Sequence, residues 1–164
     1  MRALARALHI SAPSLYFHVE SRDDLLSQLI AAGLKDFDRA MGEAASVPGS
    51  VRERARSLGS AYLDFANGSP QLFTLIFGPC TVEGGYHRQA GEAAALPVIE
   101  LATEVVGPEH AMFFAEALWS LVHGYAVLCL AGQFRMNPEH EAGFGYALDT
   151  LLNGAKVVVA GAAR

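Results

Sequence analysis

MRALARALHISAPSLYFHVESRDDLL, residues 1–26, is the stretch of sequence that decides the fold. Leu4 and Leu8 fall on one face of a first helix at helical spacing. Ser11 is a natural N-cap for a second, short helix, and Pro13 sits in its first turn, where a missing N–H costs nothing. Two short helices joined by a tight turn predict a helix-turn-helix, whose second helix enters the DNA major groove.

The remainder of the chain reads as helical, and no segment alternates convincingly with period two. Ser21 caps a third helix that opens with Asp23 and Asp24 at the positive end of its dipole. The predicted helices run through Arg22–Ala45, Val51–Ala66, Gln71–Phe77, residues 90–106 with Pro97 as a kink or boundary, Glu109–Phe134, and from Asn137 and Pro138 to near Ala160. The fold class is therefore all-α, with residues 1–45 forming the helix-turn-helix region and its connecting helix, and residues 46–164 forming a second, helical domain.

Composition favours a soluble, cytoplasmic protein. Of the 164 residues, 52% are hydrophobic and 18% charged, and we expect no apolar run long enough to cross a membrane. The N-terminus is amphipathic and does not resemble a signal peptide. Cys80 and Cys129 are too few for a disulfide framework and lack metal-site spacing. We therefore expect no metal and no cofactor.

The net charge of −5 is unevenly distributed along the chain. Residues 1–22 hold three arginines and one glutamate, a charge of +2, whereas residues 23–164 hold 9 basic and 16 acidic side chains, a charge of −7. Because phosphate binding needs positive charge only on the face that meets DNA, this asymmetry is compatible with a DNA-binding protein.

The N-terminal stretch resembles the DNA-binding domain of TetR-family (tetracycline-repressor-like) transcriptional regulators. The matching residues are Arg2–Ala5, Ile10, Ser11, Pro13–Val19, Ser21, Arg22, Leu25 and Leu26. The resemblance implies a ligand-responsive repressor that binds a pseudo-palindromic double-stranded DNA operator as a homodimer. Family members have a further helix ahead of the position where this chain starts, so the first helix of the domain is expected to be missing from it.

A second resemblance lies in the body of the chain. Trp119–Gly124, the sequence WSLVHG, is similar to the Trp-His-Gly (WHG) signature of one class of TetR-type C-terminal domain. Its companion is Asn67–Phe73, which leads to Phe77 and Gly78. The two resemblances cover most of the chain, and residues 80–105 match only in being helical and apolar.

The family resemblance assigns DNA contacts to the residues just before and within the short helix. Carried over by position, the residues on phosphates are Arg2, Ser11 and Arg22, those facing the groove are Ala12, Pro13, Ser14, Phe17 and His18, and Tyr16 reaches the backbone. Alternatively, the two aromatics belong to the core and His18 is a plain surface residue. Leu15 already occupies the inward position, so at least one aromatic must point outward.

An apolar cavity between the central helices is the second candidate site. Its expected lining is Tyr62, Phe65, Phe73, Phe77, Met112, Phe113, Trp119 and His123, each of which could also be simple core. We expect it to hold a small, largely apolar effector. His123 is either a hydrogen-bonded core residue or the polar spot of this cavity. Catalysis is not expected, because no partnered nucleophile lies nearby in the sequence.

The last two long helices are apolar on more than one side and so must be buried on more than one side. We expect them to pair with the same helices of a second copy through Ala117, Leu121, Gly124, Leu128, Ala147, Leu148, Leu151 and Ala155. A monomer with deeply buried central helices is the alternative. The alternative function is a helical small-molecule-binding or enzymatic domain that has lost DNA binding.

Overall fold

The computed structural model describes residues 1–78, 86–134 and 139–162, and within these ranges all regular structure is helical. The helices are α1 (Arg2–Ala7), α2 (Ala12–Tyr16), α3 (Arg22–Ala45), α4 (Val51–Gly68), α5 (Pro70–Phe77), α6 (Tyr86–Val106), α7 (Ala111–Leu130) and α8 (His140–Ala162). The prediction of an all-α fold is confirmed. The expected opening of the last helix at Asn137 and Pro138 lies outside the described residues.

The structure corrects several predicted helix ends. Helix α6 continues through Pro97 and does not break there. Helix α7 ends at Leu130, four residues before the predicted end, because Gly132 adopts φ 62°. The N–H groups of Gly132 and Gln133 bond to the carbonyls of Cys129 and Leu128, which is a Schellman motif. A left-handed glycine satisfies the last carbonyls of the helix and redirects the chain.

The helix-turn-helix has a small core of its own. Ala5, Leu15 and Val19 are buried together, and the α3 residue Leu25 packs against them. The turn after α1 is also a Schellman motif, here with His9 at φ 55° in the position that glycine usually takes. The motif therefore packs directly on the start of α3.

Helices α3 to α8 enclose the main core. Phe37 of α3 lies at its centre, with ring centroids 5.3 Å from Tyr62, 5.1 Å from Phe65 and 5.3 Å from Phe77. Helix α3 thus belongs to both parts of the molecule, since its first turn contacts the helix-turn-helix and its second half enters the main core.

Helix α8 crosses α4 closely at a glycine. A Cβ atom placed on Gly59 would lie 2.5 Å from Cζ of Phe144, so only a glycine admits this ring. At the surface of the same crossing, Asp149 forms ion pairs with Arg52 and with Arg56, the latter at 2.7 Å. Helix α8 is thereby fixed against α4 by both packing and charge.

One expectation about membranes is corrected by the structure. Helix α7, 20 residues with a mean hydropathy of 1.5, is long and apolar enough by length and composition to cross a membrane. In the fold it packs against α4, α6 and α8, with Ala111, Phe114, Leu118 and Ala126 buried. Length and composition therefore do not distinguish this helix from a membrane span.

Candidate DNA interface and apolar cavity

The short helix α2 presents aromatic side chains to solvent. Leu15 is buried, whereas Tyr16 is 52% and Phe17 87% exposed, and His18 is also exposed. The expectation that Leu15 fills the inward position is confirmed, and both aromatics point outward. Two adjacent exposed aromatics, Tyr16 at the last position of α2 and Phe17 directly after it, are typical of a contact surface and not of a core.

Two serine caps fix the geometry of this surface. The Ser11 hydroxyl accepts a hydrogen bond from the Ser14 N–H at 3.1 Å and lies 2.7 Å from the Ser14 hydroxyl. Ser21 accepts from the Asp24 N–H at 3.0 Å, and the Asp24 carboxylate accepts from the Glu20 N–H at 2.8 Å. The start of α2 and the start of α3 are therefore both held by side-chain hydrogen bonds.

The structure leaves the nine predicted DNA-contact residues accessible. Ala12 and Ser14 are half-buried, and the other seven, including the cations Arg2 and Arg22, are exposed. Arg22 lies 3.7 Å from its neighbour Asp23, an ion pair that is itself exposed to solvent. Exposed pairs of this kind are weak, so Arg22 remains able to contact a phosphate.

An apolar cavity of about 470 Å³ lies between α3, α4, α5, α6, α7 and α8. Its walls include Phe37 and Met41 from α3, neither of which was expected there from the sequence. The other lining residues are Ala55, Leu58, Gly59, Tyr62, Ile76, Phe77, Ala94, Ala95, Val98, Ile99, Leu101, Met112, Ala115, Glu116, Leu118, Trp119, Leu121, Val122, Phe144 and Leu148. The volume and lining suit one small, largely apolar molecule.

A hydrogen-bonded tyrosine contributes a polar group to the wall. The Tyr62 hydroxyl lies 2.8 Å from Nδ1 of His123, and the Trp119 side chain lies near it. Burial raises the pKa of Tyr62 to about 12 and lowers the pKa of His123. The phenol therefore keeps its proton and shares one hydrogen bond with Nδ1 of a neutral imidazole, in which the tautomer of the ring sets the donor.

The predicted cavity residues divide into three groups. Four of them line the cavity, namely Tyr62, Phe77, Met112 and Trp119. Phe65, Phe73 and His123 contact wall residues without lining the cavity: Phe65 packs on Phe37, and the rings of Phe73 and His123 lie 5.8 Å and 6.3 Å from that of Tyr62. Phe113 is 72% exposed, and its assignment to the cavity was wrong, because the face of α7 that carries it points to solvent.

The predicted pairing residues on α7 and α8 are also divided by burial. Leu148 and Ala155 are buried within the core of the chain, so their inclusion in a surface interface was wrong. Leu121 lines the cavity and is half-buried. Leu128 is exposed, and Ala117, Gly124, Ala147 and Leu151 are half-buried. A Cβ atom on Gly124 would meet no described atom within 4 Å, so this glycine does not serve a close helix contact within the described part of the chain.

Comparison with known proteins identifies the family. A protein-family model described as "Tetracyclin repressor-like, C-terminal domain" matches residues 55–151, more than half of the chain. The chain belongs to the tetracyclin repressor-like family. The matched region contains the cavity-lining parts of α4 to α7 and most of the α4–α8 crossing. The expectation drawn from the N-terminal motif is confirmed at the level of the family.

Two relatives of this tetracyclin repressor-like chain have names that state a function class. It is 25% identical over 177 residues to the uncharacterized HTH-type transcriptional regulator YobS of Bacillus subtilis, covering 94% of the chain and 80% of YobS. It is 29% identical over 137 residues to the uncharacterized HTH-type transcriptional regulator Rv0681 of Mycobacterium tuberculosis. That match covers 80% of the chain but only 61% of Rv0681.

A solved structure has the same fold over nearly the whole chain. It is a protein of unknown function from Rhodococcus sp. RHA1, 26% identical, with a TM-score of 0.79. The similarity covers 93% of this chain and 82% of that one. The arrangement of the helices over nearly all of this chain therefore occurs in a known protein.

Proposed function

We propose that this chain, a transcriptional regulator of the tetracyclin repressor-like family, is a ligand-responsive repressor. It binds a pseudo-palindromic operator as a homodimer through α2 and releases it when a small, largely apolar effector occupies the cavity. The observation that carries the proposal is the course of α3. This single 24-residue helix contacts the helix-turn-helix at one end and lines the cavity at the other.

The DNA contacts are proposed on the accessible residues of α1, α2 and the start of α3. Arg2, Ser11 and Arg22 would hold phosphates, which sets the position of the domain on the duplex. The groove-facing side chains would be Ala12, Pro13, Ser14, Phe17 and His18, with Tyr16 on the sugar-phosphate backbone. The exposure of Phe17 supports this assignment, because a large apolar side chain held in solvent is available to contact thymine methyl groups.

The coupling is proposed to run through α3. Phe37 and Met41 form part of the cavity wall, so a ligand that fills the cavity contacts α3 directly. Leu25 near the other end of α3 packs on the small core of the helix-turn-helix, formed by Ala5, Leu15 and Val19. A shift of α3 would change the separation of the two α2 helices in a dimer. The effector then lowers operator affinity by binding better to the conformation that does not fit the DNA.

The homodimer is proposed to form through α7 and α8 at the accessible residues Ala117, Gly124, Leu128, Ala147 and Leu151. Exposed Leu128 together with the open space around Gly124 supports this surface.

We further propose that the Trp119, His123 and Gly124 pattern places the chain in the Trp-His-Gly class. On this proposal the protein is a cytoplasmic, non-enzymatic regulator, and α7 is a core helix and not a membrane span.

The proposal is tested by DNA binding of the full-length protein to the region upstream of its own gene. We expect salt-dependent binding, which Arg22→Ala weakens. Because a dimer carries two copies of Arg22, the dependence on salt concentration should become shallower by about two released ions per dimer. Arg39→Ala is the matched control, since Arg39 is an exposed cation on α3 whose guanidinium pairs with Asp36 at 2.9 Å, outside the predicted contact surface.

Two results would contradict the proposal that the protein is a DNA-binding repressor. One is the absence of salt-dependent binding by the wild-type protein, which would favour a helical small-molecule-binding domain without DNA-binding function. The other is an equal loss of binding in Arg22→Ala and Arg39→Ala, which would show a general effect of charge and not a contact at α2.

A further inference from the structure

The mouth of the cavity combines an acidic and an aromatic side chain. Met112, Glu116 and Trp119 line the cavity and are also exposed, Met112 by 56% and Trp119 by 54%. Their spacing of four and then three residues places them on one face of α7. We call these three residues the cavity mouth. A molecule bound in the cavity would be in contact with solvent there.

The described residues that line the cavity carry a negative charge only. Glu116 is the one charged residue among them, and no lysine, arginine or histidine is found with it. No ion pair engages Glu116 within the described part of the chain. Among the other side-chain polar atoms of the described wall, the Tyr62 hydroxyl is hydrogen-bonded to His123, and the indole N–H of Trp119 can only donate. The carboxylate is therefore the side-chain acceptor left for a ligand.

This arrangement discriminates among ligand charges. An anionic head group at the mouth would lie next to Glu116 with no described cation to balance it, in a body that carries an excess of acidic residues. A neutral ligand would gain only from burial of its apolar part. A cation would gain from the carboxylate and also from the face of an indole, the aromatic ring that attracts cations best.

We propose that the effector is a lipophilic cation. Its apolar body fills the cavity, and its positive group, of the alkylammonium type, lies at the cavity mouth beside the Glu116 carboxylate and the Trp119 indole. This inference rests on the proposed role of the cavity as the effector site, and it adds that Glu116 determines specificity for charge.

Trp119 supplies the readout, because it is the one tryptophan of the sequence and it lies at the mouth. The probes are decyltrimethylammonium, 1-decanol and decanoate, which share an apolar chain of similar length and differ in charge. Each is titrated below its micellar range while Trp119 fluorescence is recorded. We expect the cation to bind roughly five- to tenfold more tightly than the alcohol, and decanoate to bind most weakly.

The substitution Glu116→Gln removes the charge with little change of shape. We expect it to abolish the advantage of decyltrimethylammonium over decanol while leaving the dissociation constant of decanol unchanged. Glu100→Gln is the control, because Glu100 is an exposed glutamate on the neighbouring helix α6 that does not line the cavity. It should leave the preference for the cation intact.

The outcomes separate this inference from the proposed function. Equal binding of the cation and the alcohol to the wild-type protein overturns the cation preference but leaves an apolar effector cavity. A cation preference that survives Glu116→Gln overturns the role of Glu116. If none of the three probes binds, the effector function of the cavity fails together with this inference.

Discussion

At the residue scale, the structure gives Tyr62 an unusual role for a core aromatic. It is buried, contacts the aromatic rings of Phe37, Phe73 and Phe77, and carries a hydroxyl that is hydrogen-bonded to Nδ1 of His123. A buried polar group is tolerated only when it has a hydrogen-bond partner, and here His123 supplies one. This one side chain therefore links the stability of the core to the polarity of the cavity wall.

The buried phenol predicts a loss of stability at alkaline pH. The folded pKa of Tyr62 is about 12, against an ordinary value of 10.0, so the stabilisation is complete below pH 10 and is lost as the pH rises towards 12. Two pKa units correspond to roughly 3 kcal/mol of unfolding free energy. Urea unfolding between pH 8 and 12 should show this loss in the wild-type protein.

Tyr62→Phe is the control for that prediction. It removes the ionisable group, so the free energy of unfolding should fall less steeply between pH 10 and 12. At pH 8 the variant should be less stable by about 1–2 kcal/mol, because Nδ1 of His123 loses its partner. Identical alkaline slopes in the two proteins would show that Tyr62 ionises as freely in the fold as in water.

The close packing of Phe144 on Gly59 allows a prediction of how one added methyl group changes the free energy of unfolding. In Gly59→Ala the new Cβ would lie 2.5 Å and 2.7 Å from the Cζ and Cε1 atoms of the buried Phe144 ring. The Phe144 ring is rigid and has to shift as a whole, out of its packed position and towards the cavity that it lines. We therefore expect a destabilisation of roughly 1–3 kcal/mol despite the better helix propensity of alanine.

Gly33→Ala is the comparison for Gly59→Ala. Its Cβ would also meet close neighbours, at 2.8–2.9 Å, but these are the flexible ends of Leu72 and Ile76. We expect a smaller loss of stability in urea unfolding. A loss as large as that of Gly59→Ala would contradict the argument that the rigidity of the neighbour decides the cost.

At the element scale, the helices are set by local signals that are visible in the sequence. Helix α3 begins after Ser21 and ends at Ala45, as predicted, because the cap and the following breaker residues act over one turn. The ends of α6 and α7 depend on more than their neighbours. Pro97 is accommodated within α6, and α7 ends where Gly132 closes a Schellman motif rather than where the apolar pattern fades.

The capping box of α4 gives a prediction at this scale. The Ser50 N–H donates to the Glu53 carboxylate at 2.8 Å, and the Ser50 hydroxyl accepts from the Glu53 N–H at 3.4 Å. The Ser50 hydroxyl also donates to the Glu53 carboxylate, at 2.8 Å. The two bonds that this carboxylate accepts, first from the Ser50 backbone and then from its hydroxyl, lower the pKa of Glu53. Ser50→Ala should reduce the free energy of unfolding by about 1 kcal/mol, measured by thermal or urea denaturation.

Ser60→Ala is the matched control for the capping box. Ser60 is an exposed serine inside the same helix, where alanine is the better helix former. This variant should be as stable as the wild-type protein or slightly more stable. Equal destabilisation by the two substitutions would show that the capping hydrogen bonds contribute nothing specific.

At the scale of the whole molecule, the proposed dimer makes α7 the surface to test. Gly124→Leu adds a bulky side chain where no described atom of the same chain lies within 4 Å, so the fold should tolerate it. A second copy packed there would be displaced. We expect at least a tenfold weaker dimer in sedimentation equilibrium, with the helical circular dichroism spectrum unchanged.

Gly42→Leu introduces the same side chain at another open helical position. Gly42 lies on α3 and is exposed, and a Cβ atom placed on it would likewise meet no described atom within 4 Å. This variant should leave the oligomeric state unchanged. A dimer that persists in Gly124→Leu with wild-type affinity would place the interface elsewhere.

The sequence by itself determined the helix-turn-helix, the all-helical fold and the family resemblance, because caps, turns and helical periodicity act between residues a few positions apart. Only the tertiary structure decided which apolar side chains line the cavity. Phe113 and Trp119 look alike in an apolar helix, yet one points to solvent and the other lies at the cavity mouth. Phe37 and Met41 line the cavity although the sequence did not predict it, and Leu148 is buried although it was predicted at a surface interface. Both differences have the same physical reason. The direction that a helix face points is set by the helices packed around it, and no local pattern contains that information.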